Sequence, residues 1–395
     1  MKRILVIACL LLPFLATAQN YVQNDSITSI VEKIVDRKFV EKKFKSKLNV
    51  DFCSSVNGYF TENQFDELTM KLNRLRFDLR GGINEQFSYR VRYSFNKSFS
   101  RNSTEYVPSA LEYANIQWHP TDRFKLTVGK QFLVIGGYEA LENSMYVREF
   151  SDFNDNLSFY RLAVLGSFKL DQDHNHELQL QISNNRAGKD SDIYSHGLPE
   201  GFEPTKFPFM SAVVWNGYFA DKALNFVYGA SVAPVAKDTY IYYLSAGNIL
   251  RKGHVFAYFD AMYSRESLDT QQRLTGLQGA GLTHVTAQNV DYLTLIARFD
   301  YRFNDKWNLY VKGAYETSSV YKSNGIFEAG RYMENWNAQT CLEWYPFGMS
   351  KGFRLFAHYL YKGYELENLA KNTLNAVKPD IQRVSLGVLY VIPVL

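Results

Sequence analysis

Arginine recurs at alternate positions in two nearby stretches, as Arg74, Arg76 and Arg80 with Asp78 between them, and then as Arg90 and Arg92. A spacing of two puts residues on one face of a β-strand, so these guanidinium groups would stack as a ladder of fixed positive charge. Such a ladder can attract and pass anions, but it holds no group that exchanges a proton near neutral pH. The other polar clusters promise less. His174-Asn175-His176 has the spacing of a metal pair, yet it falls in a short turn with no third ligand nearby and reads as a solvated turn. The sequence shows no nucleophile elbow, no convincing local Ser/His constellation, no Gly-rich phosphate loop before a helix and no zinc motif. Catalysis, a bound metal and a cofactor are not expected.

The elements that would carry the ladder follow from the pattern of oily and polar residues. From Asn49 onward sixteen segments alternate the two types. They start near Val50, Leu68, Gln86, Leu111, Phe124, Ser158, Glu177 and Phe209, and then near Leu224, Thr239, Val255, Val290, Trp307, Asn335, Phe353 and Ile381. In the clearest one Phe87, Tyr89, Val91, Tyr93 and Phe95 share a face, while Ser88, Arg90, Arg92 and Ser94 share the other. Short links such as His119-Pro120-Thr121-Asp122 and Asn304-Asp305-Lys306 alternate with mostly long ones such as Leu133 to Leu157, Ser264 to Asn289 and Gly363 to Asp380. That alternation predicts an all-β fold, a transmembrane antiparallel β-barrel of about 16 strands with tight periplasmic turns and long outer loops. A soluble sandwich would alternate too. Aromatic pairs bracketing successive turns, Trp118 with Phe124, Phe303 with Trp307 and Trp344 with Phe353, instead suit a girdle at a membrane interface.

Composition agrees. The 395 residues include 29 Phe, 28 Tyr and 5 Trp, an excess that favours strands, and 44 Lys+Arg against 40 Asp+Glu give only +4, too little for a nucleic-acid binder. Residues 1–18 read as a secretory signal cleaved after Ala18, with Met1-Lys2-Arg3, an apolar run from Ile4 to Leu15 and the small residues Ala16-Thr17-Ala18. Residues 19–47 follow as a short amphipathic helix with Ile27, Ile30, Val31, Ile34 and Val35 on one face, a periplasmic linker or self-associating segment in preference to a plug. Residues 48–395 form the barrel, placed in the outer membrane of a Gram-negative bacterium. The two cysteines of the mature chain, Cys53 and Cys341, fall three strands apart and are expected unpaired.

A barrel fixes side-chain direction, because Arg on the lipid face costs roughly 2–4 kcal/mol near the midplane. Arg74, Arg76, Arg80, Arg90, Arg92, Arg161, Arg298, Arg302, Lys312 and Arg354 are therefore expected to line a pore, with Lys169 and Arg383 and the acids Asp78, Asp260, Glu316 and Glu343. The link from Leu133 to Leu157 is expected to dip inward and set the narrowest point. It opens with the flexible pair Gly136-Gly137, and Glu139, Glu142, Glu149 and Asp152 against Arg148 make it acidic. Acidic loop and basic wall would then create a transverse field. The barrel as a whole is close to neutral, so position rather than net charge should set selectivity, unless the arginines are paired with acids such as Asp78. The expected function is passive diffusion of small hydrophilic solutes and ions with weak to moderate anion preference. The alternative is a plugged or narrow barrel acting as fatty-acid importer, receptor or lipid hydrolase.

Val128-Gly129-Lys130, followed by Ile135-Gly136 and the acid Glu139, resembles the end of the strand entering the constriction loop in the phosphate-selective porin O and P family. Leu111-Glu112-Tyr113-Ala114 and the segment from Arg74 to Gly81 are similar as well. Val134-Ile135 stand where that family usually has Pro-Phe. The resemblance implies a sixteen-stranded outer-membrane porin, usually a homotrimer, whose third loop folds inward, with outer-membrane lipid and small solutes or anions, phosphate among them, as its partners.

Overall fold

The computed structural model describes residues 46–99, 105–142, 145–185, 194 and 196–395. The expected leader and residues 19–45 of the expected helix lie outside them, and Ser46 and Lys47 open the first strand. Sixteen strands follow in chain order: β1 (Ser46–Thr61), β2 (Gln64–Gly82), β3 (Phe87–Ser94), β4 (Leu111–Trp118), β5 (Phe124–Phe132), β6 (Tyr160–Lys169), β7 (His176–Asn184) and β8 (Phe209–Phe219). The second half holds β9 (Leu224–Ala236), β10 (Thr239–Lys252), β11 (Val255–Leu268), β12 (Gln288–Arg302), β13 (Trp307–Val320), β14 (Gly330–Trp344), β15 (Phe353–Leu366) and β16 (Ile381–Pro393). Each pairs antiparallel with its sequence neighbours, and β16 pairs with β1 to close the barrel. No helix among the described residues is long and apolar enough to cross a membrane.

The strand starts agree with the alternation to within a few residues. The largest differences are β1, which begins at Ser46 rather than Val50, β2, which begins at Gln64 rather than Leu68, and β14, which begins at Gly330 rather than Asn335. All three extend beyond the clean alternation. At the β1–β2 tip Glu62 and Asn63 take φ of 52° and 65°, a left-handed pair that turns a hairpin in two residues. That outer link is therefore tight, as is the one at Lys237 and Asp238 between β9 and β10.

Alternation appears as burial. Along β8 Met210, Ala212 and Val214 are buried while Val213 between them is exposed. Outward rows such as Ile116, Val128, Ile182 and Leu386 stay open to the surroundings, where a soluble sandwich would cover them and a bilayer welcomes them. Near the tight turns Trp307 stacks on Trp344 at 5.9 Å, and Phe87 on Trp118 at 6.5 Å. The wall is uneven, since β2 has 19 residues and β3 and β4 have 8 each.

The interior is partly filled. Leu133, Ile135 and Phe153 from the link between β5 and β6 pack with Met210, Ile241 and Ile296 of the wall. At the long-loop end Leu274, Leu277, Phe327, Tyr332 and Leu374 form a second cluster. Cys53 and Cys341 are both buried and free.

Candidate functional site

Residues 133–142 and 145–159, the inner loop, leave β5 and meet the far wall of the lumen before returning to β6. Its backbone is held by acids and amides of the strands there. The Glu139 N–H donates to Asp260 Oδ2 on β11 at 2.7 Å, and the Asp152 and Phe153 N–H groups donate to the Glu316 carboxylate on β13 at 2.8 and 3.0 Å. Arg354 on β15 donates to the Met145 carbonyl at 2.8 Å, and Gln339 on β14 to that of Glu149 at 3.1 Å.

The loop's own acids meet the wall's cations. Glu139, fully buried, pairs with Lys312 on β13 and accepts from the Ser151 hydroxyl at 2.7 Å and the Asn154 amide at 2.6 Å. Glu142 lies 3.1 Å from Arg298 on β12, Glu149 lies 2.8 Å from Lys362 and 2.9 Å from Arg383, and Asp152 lies 3.1 Å from Lys362. Arg148 stands 3.6 Å from Glu343 and lies over the Phe356 ring. Burial alone would raise the Glu139 and Glu149 carboxyls, but their cations and donors outweigh it and hold both below the ordinary range. Glu142 behaves oppositely. Burial pushes it up to about 7, because Arg298 is shared with Asp300 and one guanidinium offsets two acids.

Two backbone positions explain the loop's path. Gly136 takes φ of +126°, and a Cβ there would run into Ser245 of β10. The pair expected for its flexibility is thus needed for close approach, and Gly137 likewise sits against Asp260. Two residues before Gly136 the Val134 N–H donates to Gln181 Oε1 at 2.9 Å, a bond that Pro could not supply.

The opposite face carries the arginine ladder. Arg76 binds Asp51 through Nε at 2.7 Å, Arg90 grips both oxygens of Asp78 at 2.9 and 2.7 Å, and Arg92 meets Glu112 at 2.7 Å. Lys97 reaches the same Glu112 at 2.8 Å. Arg90 and Arg92 also lie over the Tyr113 ring, at 4.0 and 4.4 Å. The ladder expected as bare charge is therefore largely paired, because acids on β1, β2 and β4 come into register with it. Arg74 and Arg80 have no hydrogen-bond or ion-pair partner among the described residues. The balance is six cations (Arg74, Arg76, Arg80, Arg90, Arg92 and Lys97) to three acids (Asp51, Asp78 and Glu112).

Arg298, Lys312 and Arg354, expected to line open water, are buried beneath the loop. Glu142 and Glu139 of the loop draw Arg298 and Lys312 off the lumen, while Glu343 of β14 and the Met145 carbonyl hold Arg354, so the acidic side of the expected transverse field is neutralised where it stands. Arg161 at the start of β6 donates to the Ser158 and Asn184 carbonyls, both at 3.1 Å, and Arg302 closes β12 at a tight turn. Sequence reasoning missed Asp51, Lys362 and Glu112 as partners, and also the buried pair of Lys130 with Glu105 at 2.7 Å. Glu112 and Lys130 fall on the oily parity of their strands. The signals were a register shift beside Tyr93 and, at Lys130, the neighbouring Gly129 with φ of +121°.

The family model described as phosphate-selective porin O and P matches residues 44–392. Among solved structures the chain is similar to the outer membrane channel DcaP of Acinetobacter baumannii, at 12% identity and a TM-score of 0.59, over 88% of this chain and 96% of that one. The anion-selective porin from Comamonas acidovorans is similar at 6% identity and 0.56, over 88% and 99%. The trimer form of OmpT from Vibrio cholerae is similar at 13% and 0.52, over 88% and 98%. None of the curated proteins matches the sequence.

Proposed function

The chain belongs to the phosphate-selective porin O and P family, and from that premise we propose that its free path runs between the inner loop and the arginine-bearing face, with weak to moderate preference for anions. It is an outer-membrane channel for small solutes and not an enzyme. The preference rests on one observation, the surplus of six cations over three acids on the β1–β4 face, which the inner loop touches at Cys53 through Arg148. A permeating ion responds to charges within about 8 Å at physiological ionic strength, so these count for more than the balance of the whole barrel. Arg74 and Arg80 are the cations with most pull in this reading, and the inner loop sets the narrowest point.

Phosphate passes as one anion among others, with no tight site. The mature chain starts after Ala18, residues 19–47 lie in the periplasm, and three copies assemble, a number supported by the trimer form among similar folds. Reversal potential under a KCl gradient tests the selectivity. A modest preference for Cl⁻ is expected, and preference for K⁺ would overturn it. The packed clusters inside the barrel are the observation in favour of a second reading, a narrow importer or receptor. Stable ohmic steps in a planar bilayer exclude it; silence together with ligand binding supports it.

A further inference from the structure

Two histidines from different outer links meet at the long-loop end of the barrel. His196 lies in the link between β7 and β8, His284 in the link between β11 and β12, and their rings stand perpendicular with centroids 5.4 Å apart. The links are fastened beside the pair, where Thr286 Oγ1 donates to the Gly197 carbonyl at 2.8 Å across 89 residues of chain. Tyr194, just before His196, is buried and donates its hydroxyl to the Val235 carbonyl at 2.9 Å, so the backbone carrying His196 is anchored to β9.

Three features of this contact suit a metal ion. A tetrahedral cation about 2 Å from one nitrogen of each of two imidazoles sets the ring centroids about 5 Å apart, close to the separation found. Nε2 of His284 lies 3.2 Å from the Gly279 carbonyl. A carbonyl only accepts, so Nε2 carries the proton and Nδ1 offers its lone pair; metal-binding histidines are oriented by a backbone carbonyl in this way. Both histidines are exposed, which leaves room for water in the remaining coordination positions. Among the described residues no three of His, Cys, Asp and Glu stand together for a metal, so the protein supplies two nitrogens here.

We propose that His196 and His284 form a two-histidine site for a divalent transition cation of the Zn²⁺ or Ni²⁺ kind, completed by water, and so a tie between two outer links. Imidazole selects such ions over Ca²⁺ and Mg²⁺, which take oxygen ligands. The site goes beyond the channel reading and does not depend on it. It also differs from the spacing that stands out in the sequence, His174-Asn175-His176, which lies at the tight turn between β6 and β7 with Lys169 Nζ 3.2 Å from His174 Nδ1, where a second cation is unwelcome.

The test is calorimetric titration of the full chain, folded in detergent, with ZnCl₂ as the probe. One ion per chain is expected, with a dissociation constant of about 10 µM, weaker than at sites with four protein ligands. His196→Ala and His284→Ala should each weaken binding about tenfold or more, whereas His174→Ala should leave it unchanged. Absence of zinc binding to the wild type up to about 1 mM overturns the proposal. Undiminished affinity in either loop variant overturns it too, because the ion then sits elsewhere. Both side chains are exposed on links, and should one variant fail to fold the other decides alone.

Discussion

The two faces of the lumen use the same residue types to opposite ends. On the β11–β16 face Arg298, Lys312, Arg354, Lys362 and Arg383 each meet an acid or a carbonyl of the inner loop, and the charges are consumed in holding it. On the β1–β4 face Arg76, Arg90 and Arg92 meet acids of the wall itself, while Arg74 and Arg80 meet none among the described residues. An inward arginine is thus a fastener or a lining according to whether another element brings an acid to it. Strand parity cannot tell the two apart, because both point the same way.

The contrast breaks most severely at Lys312. Lys312→Met leaves the fully buried Glu139 without its cation, at a cost of about 3–5 kcal/mol in the attachment of the loop. Single-channel conductance should rise and the thermal unfolding midpoint fall. A variant with unchanged conductance would show that the loop does not set the narrowest point.

Acid should loosen the same face. Glu139, Glu149 and Asp152 are held below the ordinary carboxylate range, so the attachment they contribute is present above that range and lost as pH falls through their lowered values. Conductance is expected to become larger and noisier below about pH 4. Glu142 has the opposite sign. Its share is complete below its ordinary value and lost as pH rises through about 7, giving a smaller loosening as neutrality is reached. A recording series from acid to alkaline pH that showed no rise at the acid end would remove the carboxylate clamp from the account.

The arginine-bearing face answers in selectivity rather than in size. Replacing Arg76, Arg90 and Arg92 together by Gln turns six cations against three acids into three against three. The reversal potential should move toward cations with conductance little changed. The smallest effect belongs to Arg74→Gln, which has no partner to orphan. Stability should change by no more than about 0.5 kcal/mol, read as the unfolding midpoint, while anion preference falls slightly. A larger loss of stability would mean that Arg74 is a fastener after all.

Much of this was legible in the sequence. Alternation over Gln86 to Asn96 and its fellows gave the strands, and link lengths gave their closure, because a period of two and a tight turn are local properties of the chain. Partner choice was not legible. Glu149 meets Arg383 across 234 residues, and only the curvature of the closed wall brings them together. Glu112 was hidden differently, by a register shift that undoes the parity rule where it was needed. Gly136 was visible as a glycine, but the reason for it is Ser245, more than a hundred positions away.

The long reach of the inner loop also orders events in time. The loop is made early in the chain, yet its fasteners lie 121 residues on at Asp260, 209 at Arg354 and 234 at Arg383. Contacts so distant form slowly, since much of the chain must be placed before they can. Arg383 sits on β16, the strand that seals the cylinder against β1. A chain arrested one strand short of closure lacks the last of these fasteners, so sealing the cylinder and seating the loop are one late step of assembly.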